Sequence, residues 1–597
     1  MSKRKSKKND LAKAKVTRRM ASERPKKSYD ASLLWVLGAI VLLSFIAFSP
    51  SLSNDFVNWD DDIYVTDNPL ITQLSAENVY KYFTEPIASN YHPITILSLA
   101  IDYQIAELKP FWYHLVNVLL HCLNILLVFY FTYLLSHKNK MVGLITCLIF
   151  ALHPMHVESV AWVAERKDVL YTVFFMLSLI VYLFYQSTKN IRYLLACFAF
   201  FVLSLLSKPS AVVLPLILLL IDWYQNRKLN DKWLLLEKIP FFVLAFVIGY
   251  VTVLIQADTA ISDFDKYSLA ERFCFASYGF VMYLVKLFVP FKLSALHPYP
   301  LAAGSLPTIF WLMPALVVLL LGLTVWSLKR TKVLAFGMAF YFINLALVLQ
   351  FVSVGMAVMS ERYTYVSYIG LAFIIGLAFD YGTKQQGAFK KYGQYGLVAC
   401  ALVLAVLTYQ RCQVWQNGEK LWTDVIEKYP NKAPVAYNNR GNYFRNKGKI
   451  PAAIKDFNQA IAIKSDYHLA YTNRGNAYFS SQKNELALAD YNKVLSLVAD
   501  NDKAYCNRAA VYFKMGKYPE GIADATKAIE LNPYYVDAYM NRGVLYSVTK
   551  QHQLAAADYT SLLKYQPKNH QVLNWRGIAY RNLKQYQKSL SDRKSVV

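Results

Sequence analysis

From about residue 30 to residue 412 the chain is a succession of apolar runs broken by short polar stretches. From 413 onward those runs stop, and polar, Tyr- and Asn-rich sequence takes over. A membrane span needs about 20 mostly apolar residues. Runs of that kind fall near 32–50, 112–135, 141–156, 168–186, 191–207, 209–225, 239–256, 309–327, 333–353, 363–381 and 394–411. A further run, 273–290, contains Lys286 and is flanked by Arg272 and Lys292, which fits an interfacial helix better than a crossing. The pattern predicts an all-α protein. A basic tail (1–30) precedes a multi-pass module of about eleven spans (31–412), and a second domain follows (413–597).

The second domain repeats itself. "AYNNRGNYF" at Ala436, "AYTNRGNAYF" at Ala470, "AYCNRAAVYF" at Ala504, "AYMNRGVLY" at Ala538 and "VLNWRGIAY" at Val572 put an arginine at 440, 474, 508, 542 and 576. The 34-residue period and the small/aromatic pattern predict tetratricopeptide repeats, two antiparallel helices per unit, stacked into an α-solenoid. Such a solenoid offers a concave face for a protein or peptide. The recurring Asn and Arg either form a ladder on that face or bond one repeat to the next. The last copy runs out in its second helix at "SDRKSVV" without a polar capping helix, which reads as an incomplete C-terminus.

Composition and charge add an orientation. Only 17% of the 597 residues are charged, against about 25% in a soluble domain, and the net charge is +25. The first 28 residues hold twelve Lys/Arg and two acids. A tail of this kind also suits nucleic acid, but beside a first span a positive-inside anchor is the plainer reading, and no nucleic acid is expected. The run from Leu33 to Phe48 lacks a small-residue cleavage site, so it reads as a span and not a cleaved signal. With 273–290 left out of the count, the basic loops at 137–140, 188–192, 226–232, 328–332 and 383–391 all fall inside. The first external loop (51–111), the segments 156–168, 207–210, 256–308 and 354–364, and the repeats then lie outside. Seven cysteines without a CxxC pair predict neither a disulfide framework nor a zinc site.

Chemistry-bearing residues gather in the external segments. "NWDDDIYVTDN" sets Asp60, Asp61 and Asp62 side by side; the cluster is either a solvated loop or cation site, or a general base whose pKa its neighbours raise. "YHPITILSLAID" carries His92. "LHPMHVESVAWVAERKD" carries His153, His156 and Glu158, a set that fits no standard zinc motif, together with Arg166 and Lys167, which suit a phosphate at a helix start. Lys208 in "LSKPSAV" is either an ordinary span flank or a phosphate ligand. In "SERYTYVSYIG", Glu361 and Arg362 either pair with each other or leave Arg362 to bind a phosphate or phosphosugar.

Taken in order, "FVNWDDDIYVTDNP", "YHPITILSLAID", "HLVNVLLHCLN", "ALHPMHVESVAWVAERKDVL", "LLSKPSAVVLPLILLLIDW" and "SERYTYVSYIG", followed by the repeats, resemble the transmembrane and tetratricopeptide-repeat O-mannosyltransferases and their bacterial relatives. The resemblance implies a C-type glycosyltransferase fold and a polyprenyl-phosphate-linked sugar as donor. It implies transfer to a protein hydroxyl on the extracytoplasmic side, with the acceptor held by the repeats. It maps the family's acidic pair onto Asp60 and Asp61, with Asp62 extending it. The chain departs from the family at His92, where Arg is frequent. No cofactor is implied beyond the donor; a divalent metal is not required if cations neutralise the leaving phosphate. The expected location is a bacterial inner membrane. The rival reading is a non-catalytic, membrane-anchored repeat scaffold. A transferase requires the charged residues to converge on one site, and a scaffold does not. A transporter would instead place them at mid-membrane.

Overall fold

The computed structural model describes residues 31–256, 267–300, 306–351, 355–385 and 387–595. The basic tail and part of the 256–308 segment lie outside the described residues. What is described is helical throughout, apart from one two-stranded antiparallel pairing of His297–Pro298 with Ala357–Met359.

The apolar runs become helices largely where their pattern places them. Seven helices are long and apolar enough to cross a membrane, from Ala31–Ser53 to Ala388–Val414, and the bent pair Lys140–Leu152 and Pro154–Ala161 makes an eighth. Four shorter apolar helices, Pro93–Ala106, Ile191–Ser207, Pro209–Tyr224 and Val333–Leu345, accompany them. The run expected as one span at 141–156 is broken. Asn139 caps its start by accepting from the amides of Met141 and Val142, and Pro154 bends it by 56°. The helix Leu269–Phe288, read as interfacial, opens with a Ser268–Glu271 capping box and buries Arg272 and Lys286 against the protein. Where Val333–Leu345 crosses Thr364–Lys384, a Cβ on Gly370 would lie 2.6 Å from the Gly337 carbonyl, so the backbones meet only because both residues are glycine.

Polar contacts sort the helix connections to two opposite ends. At one end Gln225 Nε2 donates to the Leu135 carbonyl (3.1 Å), Asn139 Nδ2 to Asp380 (2.9 Å) and Lys332 Nζ to the Asn226 side chain (2.7 Å). These join four of the basic connections. At the other end Gln256 Nε2 donates to Asn90 Oδ1 (3.1 Å), and Thr95 Oγ1 to the Ser207 carbonyl (2.8 Å). The acidic loop, Lys208 and Arg362 all lie at this second end, and here the last long helix hands over to the solenoid.

The solenoid begins with Gly418–Lys428 and continues as five helix pairs from Pro434–Asn446 to Tyr586–Lys594. Its recurring arginines bond the repeats together. Arg440, Arg474, Arg508, Arg542 and Arg576 each fork, through Nε and Nη2, onto the aspartate sixteen residues on: Asp456, Asp490, Asp524, Asp558 and Asp592. Nη1 of Arg474 reaches back to Asn458 of the preceding unit (2.7 Å), so each fork also joins neighbours. Tyr471 and Tyr478 flank that guanidinium. Burial raises the pKa of Asp490 and Asp558, against the pull of their arginines.

The forks predict a specific thermal phenotype. Asp490→Ala strands the Arg474 guanidinium and should cost roughly 2 kcal/mol, because breaking one side of a partly buried pair leaves the other charge unmatched. Replacing both partners with apolar residues should recover most of that loss in thermal unfolding of the full chain; a double variant no better than the single one contradicts it.

Candidate functional site

The bent span ends at Ala161. Trp162 then takes an extended backbone (ψ 122°) and Val163–Glu165 forms one 3-10 turn before the helix Arg166–Thr188 begins. This puts Glu165 at a helix N-cap and Asp168 in the first turn, where the free amides and the dipole favour negative charge. Glu165 and Asp168 are three apart and share a helix face. Neither was singled out from the sequence as a site residue, and that spacing was the signal.

Three cations close on this face. Lys167 Nζ lies 3.2 Å and Arg362 Nε 3.3 Å from Glu165 Oε1, and Lys208 Nζ 3.6 Å from Oε2. Lys208 also bonds Asp168, and Arg362 bonds Glu158. The carboxylates Glu158, Glu165 and Asp168 are 0, 2 and 3% exposed, whereas Lys167, Lys208 and Arg362 keep 13, 15 and 18%. The carboxylates therefore form a buried floor, and the cationic side chains bonded to it are the more exposed members of the cluster. Nη2 of Arg362 has no partner among the described residues. The ring of Trp162 lies 5.6 Å from its guanidinium, and the Tyr64 ring 5.0 Å from Lys167 Nζ.

The three aspartates separate into different environments. Asp61 is 1% exposed; its Oδ2 accepts from the Val57 amide (2.9 Å) and its Oδ1 from the Ala164 amide (2.8 Å). It ties the acidic loop to the 3-10 turn that carries Glu165. Burial pushes its pKa up to about 7. Asp62 accepts from the amide of Ile63 (3.0 Å), and burial raises its pKa, with Asp67 adding to the shift. The half-buried Asp60 makes no side-chain hydrogen bond among the described residues and lies where Lys167, Glu165 and Arg362 all act on it. Burial raises its pKa, and Lys167 opposes the rise. His92 is buried beside the Tyr64 ring (5.1 Å between centroids), and burial drives its pKa down to about 3, so it is neutral. Its Nε2 has no hydrogen-bond partner among the described residues.

Several expected site residues are committed elsewhere. Arg166 is fully buried and committed away from Lys167: its guanidinium bonds Asn117, Ser98 Oγ (2.8 Å), Asp102 (2.7 Å) and the Tyr113 carbonyl (2.9 Å), so four of its five N–H groups are spent and its burial keeps it from a phosphate. Glu361 does not pair with Arg362; it accepts from the Ser294 amide and lies 3.4 Å from Arg411. His153 spends both nitrogens, on the Leu287 carbonyl (3.1 Å) and the Met155 amide (3.3 Å). His156 Nδ1 bonds the Phe150 carbonyl (2.8 Å), and both rings pack among Tyr365 and Tyr368. With Glu158 turned to Arg362, the His153, His156 and Glu158 set does not converge, and no group of three metal-ligating side chains occurs among the described residues. Lys208 and Arg362 thus meet Lys167 at Glu165, Asp60 lies within electrostatic reach of Lys167 and Arg362, and Arg166 is bonded elsewhere.

These features define a multi-pass helical membrane protein that carries a charged site at one end of its bundle and a repeat solenoid beside it. Models described as TPR repeat match residues 441–481 and 475–516, and one described as tetratricopeptide repeat matches 502–535. The chain is 22% identical to the protein O-mannosyl-transferase F38B6.6 of Caenorhabditis elegans, over 72% of this chain and 62% of that one. It is 25% identical to human protein O-mannosyl-transferase TMTC4, over 70% and 65% respectively. The resemblance read from the motifs therefore extends over most of the chain, which spans a little under two thirds of the length of these relatives. A solved structure of MamA protein aligns with 28% of this chain and 90% of its own at 21% identity and a TM-score of 0.26.

The contrast between Asp61 and its neighbours is testable by stability. In Asp61→Asn the amide NH2 must face a backbone N–H, at a cost of about 1–3 kcal/mol for the unsatisfied pair. The folded pKa of about 7 lies above the roughly 3.9 of an unfolded Asp, so the folded form binds the proton more tightly. The stabilisation from this group is thus complete below about pH 4 and is lost as pH rises toward 7. The wild type's advantage over Asp61→Asn in thermal unfolding should shrink across that window; an advantage that grows with pH contradicts the assignment.

Proposed function

We propose that the protein is a membrane glycosyltransferase that moves a sugar, a hexose such as mannose, from a polyprenyl-phosphate donor to a protein hydroxyl on the extracytoplasmic side. The observation that carries this reading is the set of partly exposed cations bonded to a buried carboxylate floor, with an uncommitted aspartate beside them. A phosphate brought to Lys167, Lys208 and Arg362 meets three positive heads already held in place, so little reorganisation is needed as charge develops on it. Glu158, Glu165 and Asp168 fix those heads and keep the cations from repelling one another in a confined space.

Asp60 is the base in this scheme. Its carboxylate takes the proton of an acceptor Ser or Thr hydroxyl as that oxygen attacks the anomeric carbon. The bond from the anomeric carbon to the phosphate oxygen breaks, and the polyprenyl phosphate leaves with the electron pair. Attack opposite the leaving group inverts the anomeric centre. Neutral His92, buried against the Tyr64 ring, adds no charge to the site. Asp61 serves by holding the loop, and Asp62 stands outside the reaction. The basic connections gathered at the far end of the bundle support a cytoplasmic position for that end and an extracytoplasmic one for the site and the solenoid. Tetratricopeptide repeats bind proteins and peptides, which suits an acceptor held beside the site.

Transfer from polyprenyl-phosphate hexoses to an acceptor protein, read by mass spectrometry in proteoliposomes, tests the reading. Asp60→Asn should lose about 10²- to 10⁴-fold in rate while keeping its thermal stability. Lys208→Ala and Arg362→Ala should each lose at least about tenfold. Near-normal transfer by Asp60→Asn would sink the assignment. Because the Asp60 pKa is raised, the acidic limb of the wild-type pH–rate profile should fall above the ordinary carboxylate range.

A further inference from the structure

Asn58, two residues before Asp60, sits where the membrane module meets the solenoid. Its Nδ2 donates to the backbone carbonyl of Asn439 (2.6 Å) in Pro434–Asn446, and its Oδ1 accepts from Trp422 Nε1 (3.3 Å) in Gly418–Lys428. Among the described residues, both side-chain bonds of this loop amide go to the solenoid and neither to the bundle. Gly418 is part of the fit, since a Cβ there would collide with Asn58 Oδ1.

The next residue extends the connection toward the charged site. Trp59 stacks on Trp162 at 4.6 Å and tilts against Trp422 at 5.0 Å. Trp162 carries the Arg362 guanidinium on its other contacts, and Ala164, two residues later, supplies the amide that holds Asp61. On the solenoid side the amide contacts continue inward: Asn438 Nδ2 donates to Asn439 Oδ1 (3.1 Å), and Asn473 Nδ2, in the second repeat, to Asn438 Oδ1 (2.9 Å). The acidic loop is therefore held from two sides, by Asp61 from the bundle and by Asn58 and Trp59 from the repeats.

We propose that Asn58 and Trp422 are positioning residues: the first helices of the solenoid hold the acidic loop so that Asp60 faces the cations, which makes the repeats a structural part of the reaction centre and not only a tether for the acceptor. The inference rests on the transferase reading for its catalytic consequence. Its structural content stands on the contacts alone. Without the Asn58 bonds, the segment between Val57 and Asp60 is left with the Asp61 clamp and the ring contacts of Trp59, and the carboxyl of Asp60, which has no side-chain bond of its own among the described residues, loses part of what directs it.

The test compares the wild type with Asn58→Ala and Trp422→Phe; the second removes the indole N–H together with the five-membered ring and keeps a six-membered aromatic ring against Trp59. Hydrogen exchange at the amides of 57–64 should quicken at least about tenfold in both variants, because the loop opens locally more often. In the transfer assay kcat should fall at least about tenfold while the acceptor KM stays within about twofold. Glu530→Ala, in an exposed pair with Lys527 far along the solenoid, should change neither quantity. Unchanged exchange at 57–64 overturns the inference, as does a raised acceptor KM at constant kcat, which is the signature of a tether. A wild type that transfers no sugar counts against the transferase reading instead, and the exchange result then decides the inference by itself.

Discussion

The site depends on one burial: the carboxylate of Glu165, 2% exposed at the start of a membrane helix, has to be matched by positive charge. An unmatched carboxylate in that position would cost several kcal/mol. Lys167 supplies a match from the same helix, Lys208 from the turn between two further helices, and Arg362 from the start of a fourth. Lys208 and Arg362 thereby fix their elements against the helix that carries Glu165. The same requirement gathers the three cations around one carboxylate and leaves them more exposed than the acids. A structural demand at the end of the bundle thus yields an arrangement suited to a phosphate.

The acidic loop is fitted to this centre through the backbone. Asp61 accepts an amide from its own loop and one from the turn that presents Glu165, so loop and cations share a single rigid reference. Trp59 and Trp162 stack across the same seam, and Trp162 continues to Trp415 at 5.5 Å, where the last long helix gives way to the solenoid. Arg411 adds a charged link on the far side, between Glu361 and Asp424 (3.4 and 3.0 Å). Bundle, loop and repeats are thus bonded at several independent points.

Much of this architecture was legible in the sequence. Apolar runs gave the helices, and the 34-residue period gave the repeats. The roles of neighbouring residues were not legible, for a geometric reason. Successive residues at a helix start diverge by about 100°, so Arg166 and Lys167 face opposite ways: one enters a buried network with Asp102 and Asn117, the other the open site. The same holds for Glu361 and Arg362, for which the sequence left open a mutual pair or an Arg362 free for phosphate, and which bond different partners. Three adjacent aspartates looked equivalent until the Val57 and Ala164 amides claimed the middle one. The recurring arginines could be placed on either surface of the solenoid until their aspartates, sixteen residues on, were seen to receive them.

The central claim is that the three cations receive the donor's phosphate and Asp60 faces the sugar. A structure of the full chain with a non-cleavable polyprenyl phosphonate sugar tests it most directly. The account predicts the phosphonate oxygens within hydrogen-bond reach of Lys167, Lys208 and Arg362, with the anomeric carbon turned toward the side on which Asp60 lies. A headgroup bound elsewhere, with those cations still bonded only to their carboxylates, would contradict it.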